Sequence, residues 1–142
     1  MKIRLVTLGK TRRAEVRGLL EDYVGRIRHY AEIELTELRD SAAALRRFEP
    51  ERGATIVLLD AGGKEFSSQQ FARWLGEQRD RGARELVFLC GDAEGFPEAL
   101  RRRATAKLSL STLTFSHELA RVMLAEQLYR AFAILSGHPY PK

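Results

Sequence analysis

Residues 108–140 read LSLSTLTFSHELARVMLAEQLYRAFAILSGHPY, and the rest of the chain is organised around them. Residues 108–115 alternate apolar side chains with Ser and Thr, the pattern of a strand end running into a polar loop. Residues 116–136 then predict the longest helix of the chain, stopped by Gly137 and Pro139. At about 100° per residue, Leu124, Leu128, Phe132 and Leu135 share one side of that helix. Leu119, Val122 and Met123 fall nearly opposite, and Ala120, Ala125, Ala131 and Ala133 fill the gaps. A helix apolar nearly all round is buried on more than one face. Its own domain covers one face, so a second copy of the chain is expected on the other. The alternative is a central core helix of a monomer.

The segments before it alternate between strand and helix patterns. Residues 2–7 predict a first strand ending at Gly9, and residues 15–30 a surface helix with Val16, Leu20, Tyr23, Ile27 and Tyr30 on one face. Residues 33–38 predict a short strand. Residues 41–48 predict a helix capped by Asp40 or Ser41, broken by Pro50 and Gly53. TIVLL at 55–59 and LVFLC at 86–90 are continuous apolar runs, as in strands covered on both faces of a parallel sheet. Asp60 closes the first run, and Gly62-Gly63 is expected to turn the chain. Ser67 or Ser68 starts a helix through Arg79; Pro97 starts a short one ending in Arg101-Arg102-Arg103; residues 107–110 form the last strand. The fold class is therefore α/β, a single domain over residues 1–142 with a largely parallel sheet flanked by helices.

Composition narrows the function. The 142 residues suffice for one core, and 44% hydrophobic content fits a globular chain. No apolar run reaches the roughly 20 residues of a membrane span, and MKIRLVTLGK reads as a strand rather than a signal peptide. Cys90 is the only cysteine, which excludes an internal disulfide and a thiolate metal cluster and suits a reducing, cytoplasmic setting. A net charge of +5 suits a polyanionic partner.

Ligands of open α/β sheets bind at the carboxyl ends of the strands. Three loops leave such ends: after Leu59, at 90–95, and at 110–115. Gly91 and Gly95 allow close backbone approach, Ser111, Thr112 and Thr114 add polar groups, and Leu113 and Phe115 add apolar walls. Such a pocket suits an adenosine with a polar tail. By spacing alone, these loops also read as ordinary turns after buried strands.

The closing stretch resembles the signature of the RlmH family, SPOUT-class RNA methyltransferases with a trefoil knot. The matching residues are Ser109, Leu110, Ser111, Leu113, Thr114, Phe115, His117, Arg121, Val122, Glu126, Gln127, Tyr129, Arg130 and Ala131, followed by Gly137, Pro139 and Tyr140. The resemblance implies S-adenosylmethionine as methyl donor, without a metal. It implies a cofactor site lined by Leu59, Gly91, Leu110, Ser111, Thr112, Leu113, Thr114 and Phe115. It also implies methyl transfer to N3 of a pseudouridine in 23S rRNA on the assembled ribosome, and a C-terminal knot that periodicity does not reveal.

N3 is an imide nitrogen that must lose its proton, so a base or an anion-stabilising environment is needed. His117, His138, Tyr140 and Glu118 are candidate bases, with Arg121 and Arg130 as anion stabilisers. Glu126 and Arg130 also have the spacing of an ordinary helical ion pair. Arg101–Arg103 with Lys107, and Arg12, Arg13 and Arg17, are candidate phosphate contacts. Two departures from the family stand out. Asp92 replaces a second glycine, where aspartate tolerates left-handed backbone. Pro141 replaces a tail histidine. Two other readings share these features: a SPOUT methyltransferase of another RNA such as tRNA, and an RNA- or ribosome-binding protein without catalysis.

Overall fold

The computed structural model describes residues 1–92 and 94–140. In chain order the elements are β1 (Lys2–Leu8), α1 (Ala14–Ile27), β2 (Glu32–Leu38), α2 (Ser41–Arg47), β3 (Ala54–Glu65), α3 (Ser68–Asp80), β4 (Glu85–Cys90), α4 (Glu98–Arg103), β5 (Ala106–Ser109) and α5 (His117–Leu135). A 3-10 turn, Pro50–Arg52, precedes β3. The five strands form one sheet in the order β2-β1-β4-β3-β5, and every neighbouring pair is parallel.

Parallel strands need crossovers, and here the crossovers cover both faces. Ile3, Leu5, Val57, Leu86 and Phe88 point into one core with α1, α3 and α5. Val6, Leu8, Ile56, Leu58, Val87 and Leu89 point into the other, with α2 and α4. This explains why TIVLL and LVFLC carry no polar alternation: each successive side chain finds an apolar layer. Helix starts follow local chemistry. Ser67 and Gln70 exchange bonds with each other's backbone N–H in a capping box, and Asp40 accepts the Ala43 N–H at 2.9 Å.

Three expectations are corrected. Gly62-Gly63 does not turn the chain, because β3 runs on to Glu65. The register slips there, so that Leu59 and Lys64 both face Leu108 of β5. Asp60 accepts the Gly62 N–H at 2.9 Å and gathers in the extra residues. A Cβ on Gly63 would stand 2.6 Å from the Lys107 carbonyl carbon. The glycine therefore serves close backbone approach rather than a turn. The first helix ends at Ile27 instead of Tyr30. The Tyr30 ring leaves the helical path and stacks on Phe132. Asp92 does not use left-handed backbone, since only glycines have positive φ among the described residues. Gly95, at φ 78°, makes that bend.

On α5, Leu124, Leu128 and Phe132 with Ala125 and Ala131 are buried against α1 and α3. Leu119 and Met123 remain 48% and 46% exposed, and Ile134 is exposed too. A single chain thus covers one apolar face of this helix and leaves part of the other open. No helix among the described residues is long and apolar enough to cross a membrane.

Candidate functional site

The carboxyl ends of β4 and β5, with residues 59–61 of β3 where its register against β5 slips, open onto a cavity of about 450 Å³. Leu59, Gly91, Leu110, Ser111, Leu113, Thr114, Phe115 and His117 line it, together with Asp60, Asp92, Phe96, Arg101 and Ala120. Seven of the eight residues expected for the cofactor are therefore on one wall. Thr112 is exposed and does not line the cavity. The β5–α5 loop is held in place by small bonds. Ser109 Oγ donates to the Ala61 and Ser111 carbonyls, and Ser111 Oγ accepts the Leu113 N–H at 3.0 Å. Ser116 accepts the Leu119 N–H and caps α5, which sets His117 in its first turn.

Sequence reasoning passed over Asp60 and Arg101 as a pair. Arg101 Nη1 donates to Asp60 Oδ2 at 2.8 Å, and its Nε donates to the Phe96 carbonyl at 3.2 Å. The Gly62 N–H, and then Arg101, hold the Asp60 carboxyl below its ordinary range, so it is ionised on the cavity wall. The signal was an aspartate closing a continuous apolar run, but its partner lies 41 residues away. Arg101 is thus part of the wall. Arg103 is tied to the Leu45 and Phe48 carbonyls. Of the arginine cluster only Arg102 projects at the surface, paired with Glu98. Two guanidiniums of the expected phosphate-binding run are thus also engaged by acceptors within the fold. Asp92 accepts the Glu94 N–H at 2.9 Å, which shapes the loop beside the cavity.

The candidate catalytic residues fall into three places. His117 is on the cavity wall. Arg121 is 1% exposed and turned away from it, donating to Thr11 Oγ1 at 2.8 Å and to the Leu8 carbonyl at 3.0 Å. Glu118 accepts the N–H groups of Arg12 and Arg13, at 2.9 and 3.1 Å, and these lower its pKa. His138 and Tyr140 follow the other end of α5. With 19 residues, that helix separates them from His117 by roughly 28 Å. There Tyr30 Oη and His138 Nδ1 are hydrogen-bonded at 2.8 Å, and the Tyr129 and Tyr140 rings meet edge-on at 4.9 Å. The Arg130 guanidinium lies 4.2 Å from the Tyr140 ring centre while also bonding Glu126. Burial, then the Tyr23 hydroxyl, pushes the Tyr140 phenol up to about 12. Pro141, the departure in the tail, lies outside the described residues. Cys90 is buried, which pushes its thiol to about 12 and leaves it inert. Among the described residues, no three His, Cys, Asp or Glu side chains gather to hold a metal ion.

Residues 1–141 match the family described as "Predicted SPOUT methyltransferase". The chain is 46% identical to the ribosomal RNA large subunit methyltransferase H of Pelobacter propionicus, covering 99% of both chains. It is 42% identical to the protein of the same name from Geobacter sp. strain M21, over 99% of this chain and 98% of that one. Among solved structures, a probable methylase family protein from Haemophilus influenzae superposes with a TM-score of 0.57 at 11% identity, over 95% of this chain and 66% of that one. That likeness concerns the fold alone. With the family model matching residues 1–141 and full-length identity above 40% to these relatives, the chain belongs to the SPOUT methyltransferase family, in its ribosomal RNA large subunit methyltransferase H branch.

Proposed function

We propose that this protein methylates N3 of a pseudouridine in 23S rRNA on the assembled ribosome, with S-adenosylmethionine as donor. The cavity between residues 59–61 of β3 and the ends of β4 and β5 carries the reading. Its volume lies within the ordinary range for small-ligand sites, and its wall is mostly apolar with a few polar groups. Leu59, Leu110, Leu113 and Phe115 suit the faces of an adenine, and Ser111, Thr114 and ionised Asp60 suit sugar hydroxyls. Asp92 suits the ammonium of a methionine tail. Bound there, the cofactor supplies a methyl group already activated on a sulfonium. The chain's own residues then have to orient the base and manage the N3 proton.

His117 is the wall residue suited to take that proton. Tyr140, with its phenol near 12, keeps its hydrogen at neutral pH and serves as a donor rather than a base. Arg121 influences the site only through its field, since its guanidinium is committed elsewhere. The tail cannot reach the cavity of its own chain along a helix of roughly 28 Å. We therefore assign the working form to a two-fold dimer, formed through the open face of α5 around Leu119 and Met123, in which one tail covers the partner's cavity. The trefoil knot comes with the family. A cytoplasmic site of action follows from a ribosomal substrate.

Mass spectrometry of rRNA nucleosides from a strain lacking the protein tests this reading. A methylated pseudouridine should disappear and return on complementation. An unchanged nucleoside profile refutes it. Transfer by the purified protein should be strong on ribosomes and weak on the naked stem-loop.

A further inference from the structure

The loop between β1 and α1, Gly9 to Arg13, is built in an unusual way. Its backbone is pinned from behind by α5, more than a hundred residues away in sequence. Glu118 takes two of its N–H groups, and Arg121 bonds Thr11 Oγ1 and the Leu8 carbonyl beneath it. Glu37 takes the Thr11 N–H at 2.8 Å, and Arg17 donates to the Thr11 carbonyl. Arg121 is a nearly fully buried guanidinium that, among the described residues, has no carboxylate within salt-bridge distance and no hydrogen-bond partner for its Nε. Burying such a charge is costly, and both of its bonds go to this loop and its strand. All this rigidity consumes backbone groups and leaves two cations over. Lys10 and Arg12 are exposed and make no ion pair or side-chain hydrogen bond among the described residues, whereas Arg13 is paired with Glu15.

The position is equally specific. β1 pairs with β4 so that Thr7 faces Cys90, and the loops leaving both strands emerge side by side. The β4 loop is a wall of the cavity, and Glu118 directly follows His117 on the cavity wall. The pinned loop therefore flanks the cavity mouth with two unpaired cations over a buried third. Phosphate oxygens of a nucleic-acid strand are the chemistry this fits.

We propose that the β1–α1 loop is a phosphate clamp for the RNA strand carrying the target base. Lys10 and Arg12 are its contacts, and Glu118 and Arg121 are positioning residues that fix it relative to the cavity. This rests on the RNA-methylation reading above. It differs from the sequence expectation in giving Arg13 and Arg17 no part, in adding Lys10, and in making Glu118 and Arg121 supports for RNA binding rather than members of the reacting set.

The test uses ribosomes purified from a strain lacking the enzyme. Binding is measured against salt, and methyl transfer is measured in parallel. Lys10→Ala/Arg12→Ala should raise the KM for ribosomes roughly 10- to 100-fold, with kcat and cofactor affinity near wild type. The salt slope of log K should fall by about 1.4–1.8, the change expected when two phosphates are no longer neutralised. Arg52→Ala/Arg81→Ala removes equal charge from exposed positions before β3 and β4, at the opposite end of the sheet, and should do neither. Glu118→Ala should also raise KM rather than lower kcat. Adding it to the double variant should cause little further loss, because the clamp is already gone. An effect that adds in full marks Glu118 as merely structural and overturns its part. If wild type transfers methyl while the double variant matches the control in KM and slope, the clamp is wrong and the function stands. If wild type binds ribosomes but transfers nothing, the function fails and the binding slope alone decides the clamp. If it does not bind RNA, both fall.

Discussion

Replacing Gly63 by alanine strikes the place where β3 passes β5. An added Cβ would lie 2.6 Å from the Lys107 carbonyl carbon, 2.7 Å from its oxygen and 2.9 Å from the Leu108 nitrogen. Ordinary contact begins near 3.4 Å, so the fit is short by about 0.8 Å. All three atoms are backbone and cannot rotate aside. Overpacking of this kind costs about 1–3 kcal/mol. For a chain of this length that corresponds to roughly 3–15 °C in Tm. The strain does not stay local. β5 leads directly into the Ser111, Leu113 and Phe115 wall, and Ser109 bonds across to Ala61. Affinity for S-adenosylmethionine should therefore fall as well, by tenfold or more. Gly62→Ala is the internal control, because its Cβ would meet only the Asp60 Oδ1 at 3.5 Å. It should shift stability by no more than about 0.5 kcal/mol. Differential scanning calorimetry and titration calorimetry on the two variants read both quantities. Equal melting temperatures for Gly63→Ala and Gly62→Ala would refute the close-approach account of this glycine pair.

Gly91→Val should abolish measurable cofactor binding on folded protein, since a Cβ there meets the Phe96 ring at 3.2–3.4 Å and drives that ring within the cavity wall; heat of binding at wild-type affinity counts against the assignment. Leu119→Lys/Met123→Lys should yield monomers by light scattering with little loss of Tm, because both side chains are about half exposed in one chain; a persisting dimer moves the interface elsewhere. The folded-state pKa of Glu118 is depressed, so its contribution is present above the unfolded carboxylate range and is lost as pH falls through the depressed value. Glu118→Gln should therefore lower Tm at neutral pH and converge on wild type in acid, and a pH-independent difference in Tm excludes this linkage. Removing residues 138–142 should cut methyl transfer far more than cofactor binding, and full-rate transfer by the truncated protein rules out a tail contribution.

What the sequence determined by itself was set by short-range physics. TIVLL and LVFLC announce strands covered on both faces, because any polar alternation would have marked a solvated side. Asp40 or Ser41, and Ser67 or Ser68, announce helix starts, because a cap acts within three residues, and the structure takes Asp40 and Ser67. The motif from Ser109 to Ala131 announces the family, and seven of the eight cofactor residues expected from it meet at one cavity. Tertiary structure alone decided what the charged and flexible residues do. Gly62-Gly63 looks the same for a turn and for a close approach, and only the neighbouring β5 backbone distinguishes them. Arg101 and Arg103 look like surface charge until their acceptors, 41 and 55–58 residues away, are in place. Glu118 and Arg121 sit beside His117 in sequence. Their hydrogen-bond partners nonetheless lie away from the cavity, on the end of β1 and the loop after it, 105–113 residues distant. A side chain's role is fixed by the partner it reaches. For ionic and hydrogen-bonding groups that partner comes from folding rather than from the neighbouring residues.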